Sequence, residues 1–159
     1  MELRRSGARA RLDPIALTLL RVVIGAVMIA HGWQKLQTYS EWRGMVASMG
    51  VPAPDVAAAL AVIGELGGGI GLLLGLLTPL AALGVLAVMV VAIAKVHAGK
   101  GLFAADGGWE FPLLIATVAT FFFVHGSGPY GVDAMVRRTR GRRTEEGAPV
   151  YRQPIAGPA

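Results

Sequence analysis

Six ionisable side chains lie within long apolar stretches of this sequence. In a membrane, an unpaired charge at such a position costs on the order of 3 kcal/mol. A carboxyl group and imidazoles could exchange protons with a bound organic molecule, and nearby cations could hold its polar groups. We therefore take Glu65, His31 and His97 as candidate catalytic residues, and Lys35, Lys95 and Arg21 as candidate substrate-binding residues.

The positions of these residues along the apolar stretches predict a shared pocket. Counting a helical rise of about 1.5 Å per residue from one side of the membrane places His31 about 8 Å deep and Glu65 about 14 Å deep. Lys95 and His97 lie within about 5 Å of the same side, with Lys35 at the rim. We expect an outward-facing pocket with Glu65 at its floor.

A structural interpretation also exists for each charged residue. Lys35, Lys95 and His97 lie near helix ends, from which long or amphipathic side chains can reach lipid headgroups. Arg21 lies deeper, and either Arg21 or Lys95 could be the structural counter-ion of Glu65. The residues alone leave these alternatives open.

Metal and haem chemistry have little support in the sequence. There is no cysteine, which excludes a disulfide, a thiolate metal site and a dithiol relay within the chain. His31 and His97 fall at similar depth and could face a haem between helices, but neither has an obvious acidic partner, and His125 lies near the opposite side. We expect no metal site, we leave the cofactor unknown, and we regard quinone as a candidate co-substrate.

The composition is typical of a membrane protein. Hydrophobic residues make up 54% of the 159 residues and charged residues 16%, with a mean hydropathy of +0.57. Since a spanning helix needs about 20 mostly apolar residues, we predict an all-α integral membrane bundle of four transmembrane helices. The predicted spans are residues 15–36, 56–77, 80–97 and 110–125, of which the last is short.

Local signals place the ends and contacts of these helices. Asp13 and Pro14 are suited to the N-cap and first turn of the first helix. Thr78 and Pro79 predict a tight turn between the second and third. The spacing of Gly67, Gly71 and Gly75 predicts one row of close helix contacts, and residues 37–55 form a polar connection.

Basic residues predict the orientation of the chain. Four arginines precede the first span and six follow the last, so both termini are expected in the cytoplasm of a multi-pass cell-membrane protein. Residues 1–14 would be a basic arm, and 135–159 a basic, disordered tail, both near anionic headgroups. Arginines without a base-stacking aromatic surface do not indicate nucleic-acid binding.

Several motifs, in order, resemble one known family. The first span ends in HGWQKL (31–36), and the second contains ELGGG (65–69) and closes in GLLTP (75–79). The third ends in KVH (95–97), WEFP (109–112) opens the fourth, and GSGPYGVD (126–133) follows it. Over residues 12–134 this pattern resembles the DoxX family of small bacterial and archaeal membrane proteins, whose closing motif is nearer GPGxYSxD. Gly131 stands where serine is usual.

The resemblance implies a four-helix membrane protein that acts as an oxidoreductase. Members are linked to quinone chemistry, thiosulfate oxidation or oxidative-stress defence with soluble partner proteins. With no cysteine and no evident flavin or haem motif, electrons would come from a partner or a substrate.

Three functions compete at this point. The first is a quinone-linked membrane oxidoreductase, or the membrane subunit of one, in which the ionisable residues hold the quinone and Glu65 supplies a proton. The second is a non-catalytic scaffold that anchors soluble redox enzymes. The third is a small transporter or binding protein for an apolar or anionic metabolite. The oligomeric state, including a homo-oligomer, is left open.

Overall fold

The computed structural model describes the backbone of residues 7–146 and the side chains of residues 12–140. This part of the chain is helical and contains no β-strand, so the all-α prediction is confirmed. It has six helices rather than the four predicted. They are α1 (Gly7–Gln37), α2 (Tyr39–Ser48), α3 (Pro54–Leu74), α4 (Thr78–Lys100), α5 (Glu110–His125) and α6 (Val132–Glu146).

Three of these helices, α1, α3 and α4, are long and apolar enough to cross a membrane. The sequence predicted four spans, but α5 has 16 residues, and a helix of that length measures about 24 Å against a hydrocarbon core of about 30 Å. Many large apolar side chains face outward, among them Leu19 at 63%, Leu80 at 65% and Val124 at 70% exposure. Such a surface suits lipid rather than water.

The first helix begins earlier than the sequence predicted. It starts at Gly7 and includes Pro14 in its interior, so Asp13 is not its N-cap. The preceding alanines and arginines are good helix formers and extend the helix toward the N-terminus.

Helices α2 and α6 were both missed by the sequence analysis. Within the polar connection, α2 buries Val46 and donates a hydrogen bond from Trp42 Nε1 to the carbonyl of Ala58 in α3 (3.2 Å). Helix α6 occupies residues for which disorder was predicted, and its arginines and glutamates favour a helix by themselves. The rest of the predicted tail, residues 147–159, lies outside the described residues.

Glycines bring α1 and α3 into backbone contact. A Cβ added at Gly32 would lie 2.6 Å from the nitrogen of Leu66, and one at Gly25 would lie 2.8 Å from the carbonyl oxygen of Gly69. A Cβ at Gly69 would in turn lie 2.9 Å from the carbonyl oxygen of Gly25. The two antiparallel helices therefore touch backbone to backbone, as small residues permit in membranes.

A different set of glycines packs α3 against α4. A Cβ added at Gly64 would lie 2.5 Å from the side chain of Val88, and one added at Gly68 would lie 2.8 Å from the side chain of Val85. Gly67, by contrast, is exposed, and a Cβ there would only approach Ile63 of its own helix, at 4.0 Å. The predicted contact row is therefore wrong at Gly67.

The four apolar helices enclose one core and have two distinct ends. Met28, Leu72, Val85 and Phe122 from α1, α3, α4 and α5 are almost completely buried in it. We call the end with α2 and the loop 101–109 the cavity end, and the end with the turn 75–77 and the start of α6 the hairpin end. Helices α1 and α5 touch at few points, so the bundle is least closed between them.

At the hairpin end, α3 stops in a glycine motif and α6 caps the helix that follows. Gly75 adopts φ +66°, and its N–H bonds the carbonyl of Leu72 (3.1 Å), which ends α3 as a left-handed C-terminal glycine does. The carboxylate of Asp133 then accepts hydrogen bonds from the backbone N–H groups of Leu77 (2.8 Å) and Thr78 (2.9 Å). Asp133 thus acts as an N-terminal cap for α4 from another helix.

The pKa of Asp133 reflects this role. Burial by itself would raise the pKa, but the N–H groups of Thr78 and Leu77, together with the charge of Arg137, lower it below its ordinary value. A lowered pKa means that the ionised carboxylate stabilises the fold at neutral pH, and that this contribution is lost as the pH falls through the folded-state pKa.

Candidate functional site

A cavity of about 240 Å³ lies at the cavity end, between α1, α3, α4, α5 and the loop 101–109. Four of the six predicted site residues line it, namely His31, Lys35, Glu65 and His97. Its other lining residues are Met28, Met89, Ala92, Ala104, Gly107, Gly108, Phe111, Pro112 and Ile115. The chamber is thus mainly apolar, with a few polar groups, as is usual for sites that bind organic ligands.

An ion pair between Lys35 of α1 and Glu65 of α3 is the polar centre of this cavity. Lys35 Nζ contacts Glu65 Oε1, and the Glu65 side chain is 3% exposed whereas that of Lys35 is 22% exposed. The Lys35 ammonium also lies 4.7 Å from the ring centroid of Trp42, close enough for a cation–π contact. The second carboxylate oxygen, Glu65 Oε2, is buried and has no hydrogen-bond partner in the described part of the chain.

The backbone around Glu65 explains how a carboxylate comes to lie there. Residues Ile63–Gly67 form a π-helical turn inside α3, which changes the direction of the side chains on the following turn. Gly32 lets α1 approach Leu66 closely, and Lys35 follows Gly32 by three residues on the same face. The close approach therefore positions the lysine opposite the carboxylate.

A second π-helical turn, Ile93–His97, ends at the histidine on α4 that lines the cavity. His97 Nδ1 lies 2.6 Å from the carbonyl oxygen of Gly107. Because a carbonyl can only accept, Nδ1 carries the proton, and in the neutral ring Nε2 is left as an acceptor. Insertions of this kind are frequent at functional sites, and here both border one cavity.

His31 marks the opening of the cavity. Its ring lies 6.1 Å from that of Phe111, centroid to centroid, with 46° between the ring planes. Both residues line the cavity and both are exposed, so the cavity reaches the surface where α1 meets α5. An apolar molecule could enter from the lipid at this point.

Arg21 and Lys95 lie outside the cavity. Lys95 is exposed on α4. Arg21 is only 2% exposed at the hairpin end, where its Nη1 donates to the carbonyls of Leu72 (2.7 Å) and Leu73 (3.1 Å). Neither cation is the partner of Glu65, so both pairings considered from the sequence are wrong; Lys35, taken from the sequence as a substrate-binding residue, is the partner.

A comparison with family models supports the resemblance seen in the sequence. The DoxX model matches residues 16–98, just over half of the chain. The chain belongs to the DoxX family. The matched segment contains α2 and α3 and all six predicted site residues, and with its long apolar helices it indicates a membrane protein of this family. Comparisons with curated proteins and with solved structures found no match.

The remaining histidine of this DoxX protein does not contribute to the cavity. His125 is at the C-terminal end of α5, where it stacks on Phe121 at 4.2 Å and lies 3.1 Å from the carbonyl oxygen of that residue. Among the residues that the structure describes, no three His, Asp or Glu side chains are placed to hold a metal ion together.

The departure from the DoxX closing motif has a packing explanation. A Cβ at Gly131 would lie 2.4 Å from the Cβ and 2.7 Å from the Oγ of Ser127, which is 1% exposed. Ser127 therefore fills the space that a serine at 131 would need.

Some features of the site had no signal in the sequence that we recognised. The two π-helical turns and the contact of Trp42 with Lys35 were not predicted. The adjacent glycines of the loop 101–109, Gly107 and Gly108, were a partial sign of the site in the sequence. The carbonyl of Gly107 accepts a hydrogen bond from His97, and a Cβ at Gly108 would lie 2.5 Å from the carbonyl oxygen of Gly101.

Proposed function

We propose that this DoxX protein is a quinone-linked membrane oxidoreductase, or the membrane subunit of one that acts with a soluble redox partner. The observation that carries the proposal is the buried Lys35–Glu65 pair, which faces an otherwise apolar cavity with an opening between α1 and α5. A quinone is an apolar ring with two polar oxygens, and it enters such a cavity from the bilayer.

The groups around the cavity match what quinone chemistry needs from a protein. Interconversion of a quinone and its hydroquinone moves two protons and two electrons. His97 Nε2 and Glu65 can accept protons within the cavity, and the exposed ring of His31 can pass them to the surface. The electrons are exchanged with the soluble redox partner, which is a separate protein.

A cavity-filling variant tests the proposal. Ala92 lines the cavity on α4, and phenylalanine in its place should fill the ring-binding space. We expect wild-type protein purified in mild detergent from quinone-containing membranes to yield quinone on organic extraction, and the Ala92→Phe variant to yield roughly tenfold less, about 1.4 kcal/mol of binding. Quantification of extracted quinone by chromatography, per mole of protein, gives the result.

Ala94→Phe is the matched control, because Ala94 is on the same helix but is exposed and outside the cavity. Its quinone content should equal that of the wild type. Absence of quinone from the wild-type protein, or equal amounts in all three proteins, would contradict the proposal.

We also propose that the protein lies in the cell membrane with both termini in the cytoplasm, which makes the short α5 a fourth crossing that returns the chain from the cavity end to the hairpin end. The arginines on both sides of the bundle support this orientation, because basic residues next to a span favour the cytoplasmic side and anionic headgroups. A thiol-reactive, membrane-impermeant reagent should label, in intact cells, a cysteine introduced at Gly99, which is exposed in the last turn of α4 at the cavity end. One introduced at Thr139 should react only after lysis; the opposite pattern would reverse the orientation.

A further inference from the structure

We infer that the cavity binds the reduced, hydroxyl-bearing form of its aromatic ligand more tightly than the oxidised, carbonyl form. The inference rests on the proposed function, since it concerns the same cavity. It assigns the substrate class as a hydroquinone or a phenol, a ring whose oxygen carries a proton to donate.

One carboxylate oxygen of Glu65 has no hydrogen-bond partner in the described part of the chain. As a carboxylate paired with an ammonium, Glu65 accepts hydrogen bonds and donates none. Oε1 is used by Lys35, whereas Oε2 is buried and has no partner among the described residues. A buried acceptor without a donor is costly, and the cost disappears when a ligand supplies the missing hydrogen.

The histidine on α4 adds a second acceptor to the same chamber. His97 uses Nδ1–H on the carbonyl of Gly107, so its neutral ring presents Nε2 as an acceptor. Among the described residues that line the cavity, Lys35 is the one lysine or arginine, and its ammonium already contacts Glu65 and the face of Trp42.

A hydroxyl group satisfies this arrangement better than a carbonyl group. Its hydrogen can be donated to Glu65 Oε2 while its oxygen accepts from a remaining N–H of Lys35. A quinone carbonyl can accept from Lys35, but it leaves Oε2 unpaired and brings a second oxygen beside it. Sites with an unpaired buried group discriminate strongly against ligands that lack the complementary one.

Two probes that differ only in the hydroxyl hydrogen test the inference. These are 4-propylphenol and 4-propylanisole, in which a methyl group replaces that hydrogen, and neither belongs to a quinone–hydroquinone pair. We expect calorimetric titration of the full-length protein in detergent to show the phenol binding about tenfold more tightly, as one hydrogen bond to a charged acceptor allows.

The acceptor is tested by removing the ion pair as a unit. The double variant Lys35→Met/Glu65→Leu replaces both charges with apolar side chains, a change that buried pairs often tolerate without loss of stability. The ratio of its affinity for 4-propylphenol to its affinity for 4-propylanisole should fall to about one. The matched control is Arg43→Met/Asp55→Leu, which removes an exposed ion pair outside the cavity and should keep the wild-type ratio.

Each remaining outcome has a defined meaning. Equal binding of the two probes by the wild type overturns the inference and leaves the quinone site standing. A preference that persists in the Lys35→Met/Glu65→Leu variant also overturns it, because the acceptor is then not Glu65. If neither probe binds and extraction yields no quinone, the proposed function fails with the inference.

Discussion

Replacing Arg21 with methionine should lower the thermal unfolding midpoint of the detergent-solubilised protein by about 10 °C. Arg21 donates to the carbonyls of Leu72 and Leu73 in the last turn of α3, where Leu72 is fully buried and Leu73 is partly buried. Losing hydrogen bonds from a charged donor to buried acceptors costs about 3 kcal/mol, and each kcal/mol corresponds to about 2–4 °C for a chain of this size. A positive charge there also complements the C-terminal end of the helix dipole.

Lys95→Met is the control for this variant, because it removes a cation from an apolar helix at an exposed position. We expect its midpoint to stay within about 1–2 °C of the wild type, as for most surface substitutions. Quinone content separates the two roles considered for Arg21. A ligand-binding arginine would lower the quinone content and leave the midpoint unchanged, and that result would refute the structural role.

The position of Arg21 shows why its role could not be predicted from the sequence. Its spacing from Lys35 places both on one face of α1, and from the sequence Arg21 was taken as a deeper substrate-binding residue or as the counter-ion of Glu65. Fourteen residues of helix separate them by about 21 Å, however, so they lie at opposite ends of the bundle. The partners of Arg21 are backbone carbonyls of α3. Because every residue type has a backbone carbonyl, the identity of the residues does not mark these partners in the sequence.

The cavity itself was largely predictable. Charged and imidazole side chains are expensive in apolar helices, so His31, Lys35, Glu65 and His97 could be selected by type and depth alone. The choice of Lys35 as the partner of Glu65 depends on rotation about helix axes, which depth does not determine. That rotation follows from the contact of Gly32 with Leu66 and from the π-helical turn at 63–67.

The unpredicted helices have a related explanation. The apolar periodicity that reveals a spanning helix is absent from α2 and α6, whose residues are largely polar. Their placement depends on single contacts with distant residues, such as Trp42 with Ala58 and Asp133 with Thr78. A local sequence pattern carries no record of such contacts.

Gly32→Ala should destabilise the fold strongly, although it adds a single carbon atom. The new Cβ would lie 2.6 Å from the backbone nitrogen and 2.9 Å from the Cα of Leu66. Ordinary carbon contacts are about 3.5–4.0 Å, so α1 and α3 would have to separate by roughly 1 Å. Overpacking of this kind costs about 3 kcal/mol, and we expect a midpoint about 10 °C lower.

The same separation should reach the site, because Lys35 is one turn beyond Gly32 and Glu65 is next to Leu66. Gly32→Ala should therefore lower both the unfolding midpoint and the quinone content. Arg21→Met should lower the unfolding midpoint, whereas the quinone content of the folded protein should stay the same. The two measurements, made on both variants, separate damage at the α1–α3 contact from damage at the hairpin end.

Gly67→Ala is the matched control and also decides between two packing arrangements. Gly67 is exposed, and an added Cβ approaches only Ile63, at 4.0 Å. Alanine favours a helix over glycine by about 1 kcal/mol, so the midpoint should stay the same or rise slightly. If Gly67→Ala were instead the damaging change and Gly32→Ala harmless, the helices would pack through the glycine row that the sequence suggested. Lys35 and Glu65 would then not be held together by backbone contact.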